Sequence, residues 1–137
     1  MQYHLTLKFL DEINNDTLKK VKKKLSIIKS QSLKLYLDKL GVFSKKFVKI
    51  VWVKISNVSL QKLIDNSLAD IFEKEWRFMG HITIARVKNL KNKSSFLELI
   101  NKTNVNKVSF MVTEFYLKES ILRNEGPVYK VISTYKV

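Results

Sequence analysis

The stretch GHITIAR, Gly80 to Arg86, alternates polar and apolar residues with a period of two as far as Ile84. Side chains two positions apart on a β-strand point to the same side. His81 and Thr83 therefore share one face, and Ile82 and Ile84 share the other. The same frame stands near the start of the chain in YHLTLKF, Tyr3 to Phe9, where His4 and Thr6 face one way and Leu5 and Leu7 the other. The chain holds two histidines and six threonines in 137 residues, and both histidines have Thr at the second position after them. Random placement would produce that about twice in a thousand trials. The two frames read as an internal repeat.

Two such strands, side by side in a pseudo-symmetric pair of sheets, would bring two imidazoles and two hydroxyls around one cleft with an apolar backing. Phosphodiester cleavage or transfer suits that set. An attacking water or hydroxyl must lose a proton and the leaving oxygen must gain one, and imidazoles titrate near neutral pH. Threonine hydroxyls donate to the non-bridging oxygens, whose charge must be held through the transition state. The bland alternative is that each histidine is an ordinary strand residue with a satisfied hydrogen bond. A zinc site would need further ligands, with Asp11 or Glu114 the nearest candidates, and no spacing supports them. The reading is metal-free and without a cofactor.

The rest of the pattern places this pair in an α+β domain. VKIVWVKI (Val48 to Ile55) is β-branched and aromatic, as a well-buried strand is. LKLYL (Leu33 to Leu37), VSFMVTEFYL (Val108 to Leu117) and VYKVISTYKV (Val128 to Val137) alternate like half-buried strands. After Asn14-Asn15-Asp16, apolar residues recur with helical period at Leu18, Val21, Leu25 and Ile28. A second such run, from Leu60 to Phe72, stands behind Ser59 as a cap. A third helix is expected from Ser95, where Glu98 would complete a capping box. The order is β-α-β-β-α-β-α-β-β. The short link between the strands at 33–43 and 48–55 demands antiparallel pairing. The expectation is one domain over residues 1–137, with two antiparallel β-sheet lobes forming a central cleft and helices packed outside.

Composition narrows the class. An apolar fraction of 45% with 11% aromatics fits a globular chain long enough to bury a core. There is no cysteine, hence no disulfide framework and no thiolate chemistry. No stretch approaches a membrane span and no signal segment opens the chain, so a cytoplasmic protein without membrane contact is expected. Twenty-six basic residues against twelve acidic ones leave a net charge of +14, a surplus that attracts polyanions, nucleic acid above all. Biased composition or a hot habitat would also supply lysines, and the lysine face of the first helix reads as solvated. The only arginines are Arg77, Arg86 and Arg123, and they are more informative, because the planar guanidinium fits phosphate oxygens.

These residues resemble the two-histidine phosphoesterase superfamily, in particular the RNA 2′,3′-cyclic phosphodiesterases, historically called 2′-5′ RNA ligases. HLTLKFLDEI resembles the family's first motif, and LGVF (Leu40 to Phe43) before VKIVWVKI resembles its central hairpin. RFMGHITIARVK (Arg77 to Lys88) resembles its second motif. FYLKESILRNEGPVYKVI resembles its C-terminal hairpin, with Leu117, Ser120, Leu122, Gly126 and Tyr129 matching. The resemblance implies that His4 donates a proton to the leaving ribose oxygen, that His81 activates water, and that Thr6 and Thr83 bind the phosphate. It implies that Arg86 faces the cleft, although its odd offset from His81 requires a bulge or a strand end. Phe43 and Arg123 are implied as substrate neighbours. The implied substrate is RNA with a cyclic phosphate end, tRNA-like fragments included, opened to a 2′-phosphate, with 2′-5′ joining as the reverse reaction. The alternatives are a noncatalytic RNA-end-binding module and a phosphodiesterase acting on a small cyclic nucleotide.

The chain departs from that family at two places. The family carries a leading strand and helix before its first motif, whereas here the first histidine is residue 4; a trimmed chain, a later start or a reduced variant would each account for that, and the unpaired edge it would leave calls for a shifted strand, a partner chain or a homodimer contact. Gly80 stands where the family has proline, removing a rigid φ constraint.

Overall fold

The computed structural model describes residues 3–137. In chain order the elements are α1 (Asn15–Ser26), β1 (Leu33–Val42), β2 (Ile50–Ser56), α2 (Ser59–Ser67), β3 (Gly80–Arg86), α3 (Lys93–Lys102), β4 (Ser109–Val112), β5 (Glu114–Arg123) and β6 (Gly126–Lys136). Four strands form one antiparallel sheet in the order β3-β2-β1-β4, and β5 pairs with β6 in a second, two-stranded sheet. The architecture is α+β as expected, with sheets of unequal size. Among the described residues, no helix is long and apolar enough to cross a membrane.

Local chemistry accounts for the helices. Asn14 caps α1 by accepting from the Thr17 N–H at 2.8 Å, Asp16 lies in the first turn and Lys23 and Lys24 in the last, charges that oppose the helix dipole at both ends. The expected cap at Ser59 is displaced. Ser59 is the first helical residue, Val58 precedes it without a side-chain cap, and Asn57 (φ 73°) accepts from both the N–H and the hydroxyl of Ser59. The expected capping box at Ser95 does not form either. Asn92 captures the Ser95 N–H at 3.0 Å and starts α3 at Lys93, while Glu98 turns to Lys102. Asparagine is as good an N-cap as serine, and here it comes first in the chain.

Strand β2 divides the large sheet into two faces. Val51, Val53 and Ile55 are buried, while Ile50, Trp52 and Lys54 are half-buried on the other side. A separate apolar cluster joins Val21 and Leu25 of α1, Leu60, Ile64 and Leu68 of the α2 region, and Phe115 and Leu117 of β5, with Leu7 and Leu10 against it. Each fully buried aliphatic side chain stabilises by about 1.5–3 kcal/mol.

Two strand expectations change. Residues 108–117 are divided at Thr113, where the chain leaves the large sheet (β4 on β1) and enters the small one (β5 on β6); the Val137 N–H donates to the Thr113 carbonyl at 2.9 Å. Residues 3–9, expected as a strand, make one isolated antiparallel bridge, Leu5 to Ile82. Side chains hold this segment instead. Leu7 and Leu10 pack into the core, and the Lys8 ammonium lies 2.7 Å from the Asp65 carboxylate, both side chains being at least 96% buried.

Candidate active site

The Leu5–Ile82 bridge sets the two H-x-T frames against each other in antiparallel sense. Carried one residue each way, that register sets His4 across from Thr83 and Thr6 across from His81. His81 and Thr83 lie on the face of β3 opposite Ile82, shared with Trp52 and Lys54 of β2, and His4 and Thr6 are exposed on either side of Leu5. The histidines fall on one diagonal of this square, a relation that separates Cα atoms by roughly 7–8 Å. The internal repeat in the sequence thus becomes a local two-fold relation centred between Leu5 and Ile82.

His81 lies in an aromatic corner. The Phe43 ring meets it edge-on at 5.0 Å between centroids (86°), and Trp52 approaches it at 6.3 Å. Its Nδ1 is buried without a hydrogen-bond partner, as is the indole Nε1 of Trp52. His4 is exposed on the opposite side and meets the ring of Tyr129 at 5.2 Å. Tyr129 pairs with Ser120, so the small sheet supplies the second wall of the site.

Arg86 reaches the site face by the irregularity its offset demanded. Trp52 pairs with Thr83 but Val51 pairs with Ala85, so Ile84 is an extra residue in β3. This bulge restores the parity lost to the odd offset. Arg86, paired with Ile50, shares a face with His81 and Thr83 and stands at the far end of the strand. Arg123 lies at the β5–β6 turn opposite Gly126, on the hairpin face away from Tyr129 by strand parity, and nothing in the structure ties it to the histidines.

Four contributors were not legible as site residues. Trp52 reads as a strand residue, and only the pairing of Trp52 with Gly41 shows that its indole lies flat across β1. A Cβ on Gly41 would stand 2.2 Å from a ring carbon of Trp52. Gly41→Ala is therefore expected to displace the indole, and with it Phe43 and the His81 ring, at a cost of about 1–3 kcal/mol for overpacking. Chemical denaturation and near-UV circular dichroism would show it. Lys8, Asp65 and Gln61 were also missed. Gln61 is buried beneath Gly80, where an added Cβ would come within 3.1 Å of the Ile55 carbonyl oxygen and 3.2 Å of Gln61 Nε2. The one available signal was position: 61 and 65 share the apolar stripe of α2 with 60, 64 and 68.

Among the described residues no group of three His, Cys, Asp or Glu is placed to hold a metal ion. Residues 1–53 match the family described as LigT like Phosphoesterase. The chain is 33% identical over 139 residues to the RNA 2′,3′-cyclic phosphodiesterase of Methanocaldococcus jannaschii, covering 96% of this chain and 79% of that protein. It is 28% identical to the protein of the same name from Aeropyrum pernix, covering 98% of this chain and 81% of that one. The fold is similar to a solved structure from Thermus thermophilus (TM-score 0.76, 21% identity, 98% of this chain and 77% of that one). It is similar also to E. coli LigT solved with phosphate (TM-score 0.69, 22% identity, 98% and 75%). The chain belongs to the RNA 2′,3′-cyclic phosphodiesterase family of LigT-like, two-histidine phosphoesterases.

Proposed function

We propose that this protein opens RNA 2′,3′-cyclic phosphate ends to 2′-phosphates by general acid–base catalysis between His4 and His81. The antiparallel bridge that sets the two H-x-T frames face to face carries this reading. Water attacks phosphorus and gives its proton to His81. The bond from phosphorus to the ribose O3′ breaks, and O3′ takes a proton from His4. The products are a 2′-phosphomonoester and a free 3′-hydroxyl. Thr6 and Thr83 donate to the non-bridging oxygens, and Arg86 adds positive charge on the same face. Burial of His81 Nδ1 leaves Nε2 as its proton-accepting nitrogen. With the 5′-hydroxyl of another RNA attacking phosphorus in place of water and giving its proton to His81, the same cleavage of the bond to O3′ leaves a 2′-5′ phosphodiester link and a free 3′-hydroxyl.

The relatives named for this activity and the basic surplus point to RNA as substrate. The test is hydrolysis of an oligoribonucleotide ending in a 2′,3′-cyclic phosphate, with the product mapped by its phosphate position. The expected product carries the 2′-phosphate, at a rate unchanged by EDTA. A 3′-phosphate product, or a rate abolished by the chelator, would replace this mechanism. Binding of the RNA end without turnover would make the protein a binding module.

A further inference from the structure

Resting on that reading, we infer that a basic pocket at the far end of β3 binds the phosphate backbone of the RNA leading away from its reacting end. Lys46, Lys49, Arg86, Lys88 and Lys93 ring a cavity of about 520 Å³ that also exposes Phe47 and has no carboxylate in its lining. None of these five cations lies within 4.0 Å of a carboxylate among the described residues, whereas Lys8, Lys24, Lys54 and Lys102 each do. Five like charges gathered without counter-charge repel one another, and a polyanion relieves that repulsion. The pocket is also built: the Lys93 ammonium donates to the Lys46 carbonyl at 3.2 Å, tying α3 to the β1–β2 loop, and the Lys46 ammonium lies over the Phe47 ring.

The pocket continues the site. Along β2, the partner of His81 (Lys54) and the partner of Arg86 (Ile50) are four residues apart, roughly 13 Å at about 3.3 Å per residue. The β1–β2 loop bridges this interval, with Phe43 (56% exposed) against His81 at one end and Phe47 (66% exposed) in the pocket at the other. Cations interleaved with exposed aromatics form the surface that single-stranded RNA uses, phosphates on the charges and bases on the rings. A single cyclic nucleotide between His4 and His81 would leave this pocket untouched. The specificity that follows is for an RNA chain over a small cyclic nucleotide.

The test compares the native protein with the triple variant Lys46→Gln/Lys49→Gln/Lys93→Gln, which leaves Arg86 and the histidines in place and whose fold is checked by its thermal midpoint. Two substrates are assayed: a mononucleoside 2′,3′-cyclic phosphate, and a single-stranded RNA of about six nucleotides with the same end, within the usual footprint of such grooves. Oligomer affinity is also followed against salt by fluorescence anisotropy. The variant is expected to raise KM for the oligomer by roughly tenfold, and to flatten the log–log salt slope by about 2, near 0.7 for each phosphate no longer neutralised. Hydrolysis of the mononucleotide stays within about twofold of native, since the histidine end is intact. An equal loss on both substrates, or an oligomer affinity and salt slope unchanged by the substitutions, overturns the inference. If the native protein hydrolyses neither substrate, the proposed reaction fails by itself. Oligomer binding then still decides the pocket: weaker binding by the variant supports it, and unchanged binding sinks it.

Discussion

His4→Ala and His81→Ala are each expected to lower kcat on a cyclic-phosphate RNA by about 10²–10⁴, the usual worth of a positioned proton donor or acceptor. Affinity for the RNA should change little, because the groups proposed to bind it, the threonines, Arg86 and the surrounding lysines, stay in place. The double variant should cost less than the sum of the two in free energy, since residues that act as one unit lose their joint advantage at the first removal. Single-turnover rates measured beside oligomer binding separate the two effects. Near-native turnover in both single variants would remove the histidines from the chemistry. His4 is exposed, so the thermal midpoint of His4→Ala should hold, and that of His81→Ala is measured beside it because the His81 ring packs against Phe43 and Trp52.

Lys8→Met is expected to lower stability by about 3–5 kcal/mol near neutral pH, the cost of leaving one buried charge without its partner. Burial alone pushes the Asp65 carboxyl up. The hydrogen bond from Lys8, a second from the Glu75 N–H, and the charges of Lys8 and Lys74 outweigh it, so the carboxyl sits below its ordinary value. A carboxyl depressed in the folded state stabilises above its unfolded pKa and loses that contribution as the pH falls through the folded value. The native protein should therefore weaken on acidification below the ordinary carboxylate range. In Lys8→Met the abandoned carboxyl becomes easier to protonate, so the deficit relative to native should narrow as the pH falls. Lys8→Met/Asp65→Leu should recover much of the loss, because an apolar pair of similar volume avoids both desolvation costs. Urea denaturation across a pH series measures all three. The same pair holds the segment that carries His4, which has a single backbone bridge to β3, so the stability defect should bring a loss of kcat with it.

Period and residue type made most of the elements legible. The apolar spacing in α1 and α2, the β-branched run of β2 and the alternation in β3 and β6 each follow from near neighbours, as do the two H-x-T frames. Capping was less legible, because Asn92 accepts from the N–H of Ser95 itself and starts α3 earlier, and Asn57 accepts from the N–H of Ser59, so neither serine stands at an N-cap. The division at Thr113 was not read, although the polar pair Thr113-Glu114 interrupts the alternation between Val112 and Phe115 where the hydrogen-bond partner changes from β1 to β6. The start of the chain shows the opposite failure: its alternation is that of a strand, yet buried side chains rather than a ladder hold it.

The sequence by itself determined the repeated H-x-T frame and the side of β3 on which His81 and Thr83 stand, because a period of two is set by the backbone alone. It also determined that Arg86 needs an extra residue to reach that side. The tertiary structure alone decided that Leu5 meets Ile82, that the bulge falls at Ile84, that Trp52 lies across Gly41, and that Lys8 buries its charge on Asp65. Each of these joins residues distant along the chain, and their partners are chosen by the shape and register of the assembled sheets.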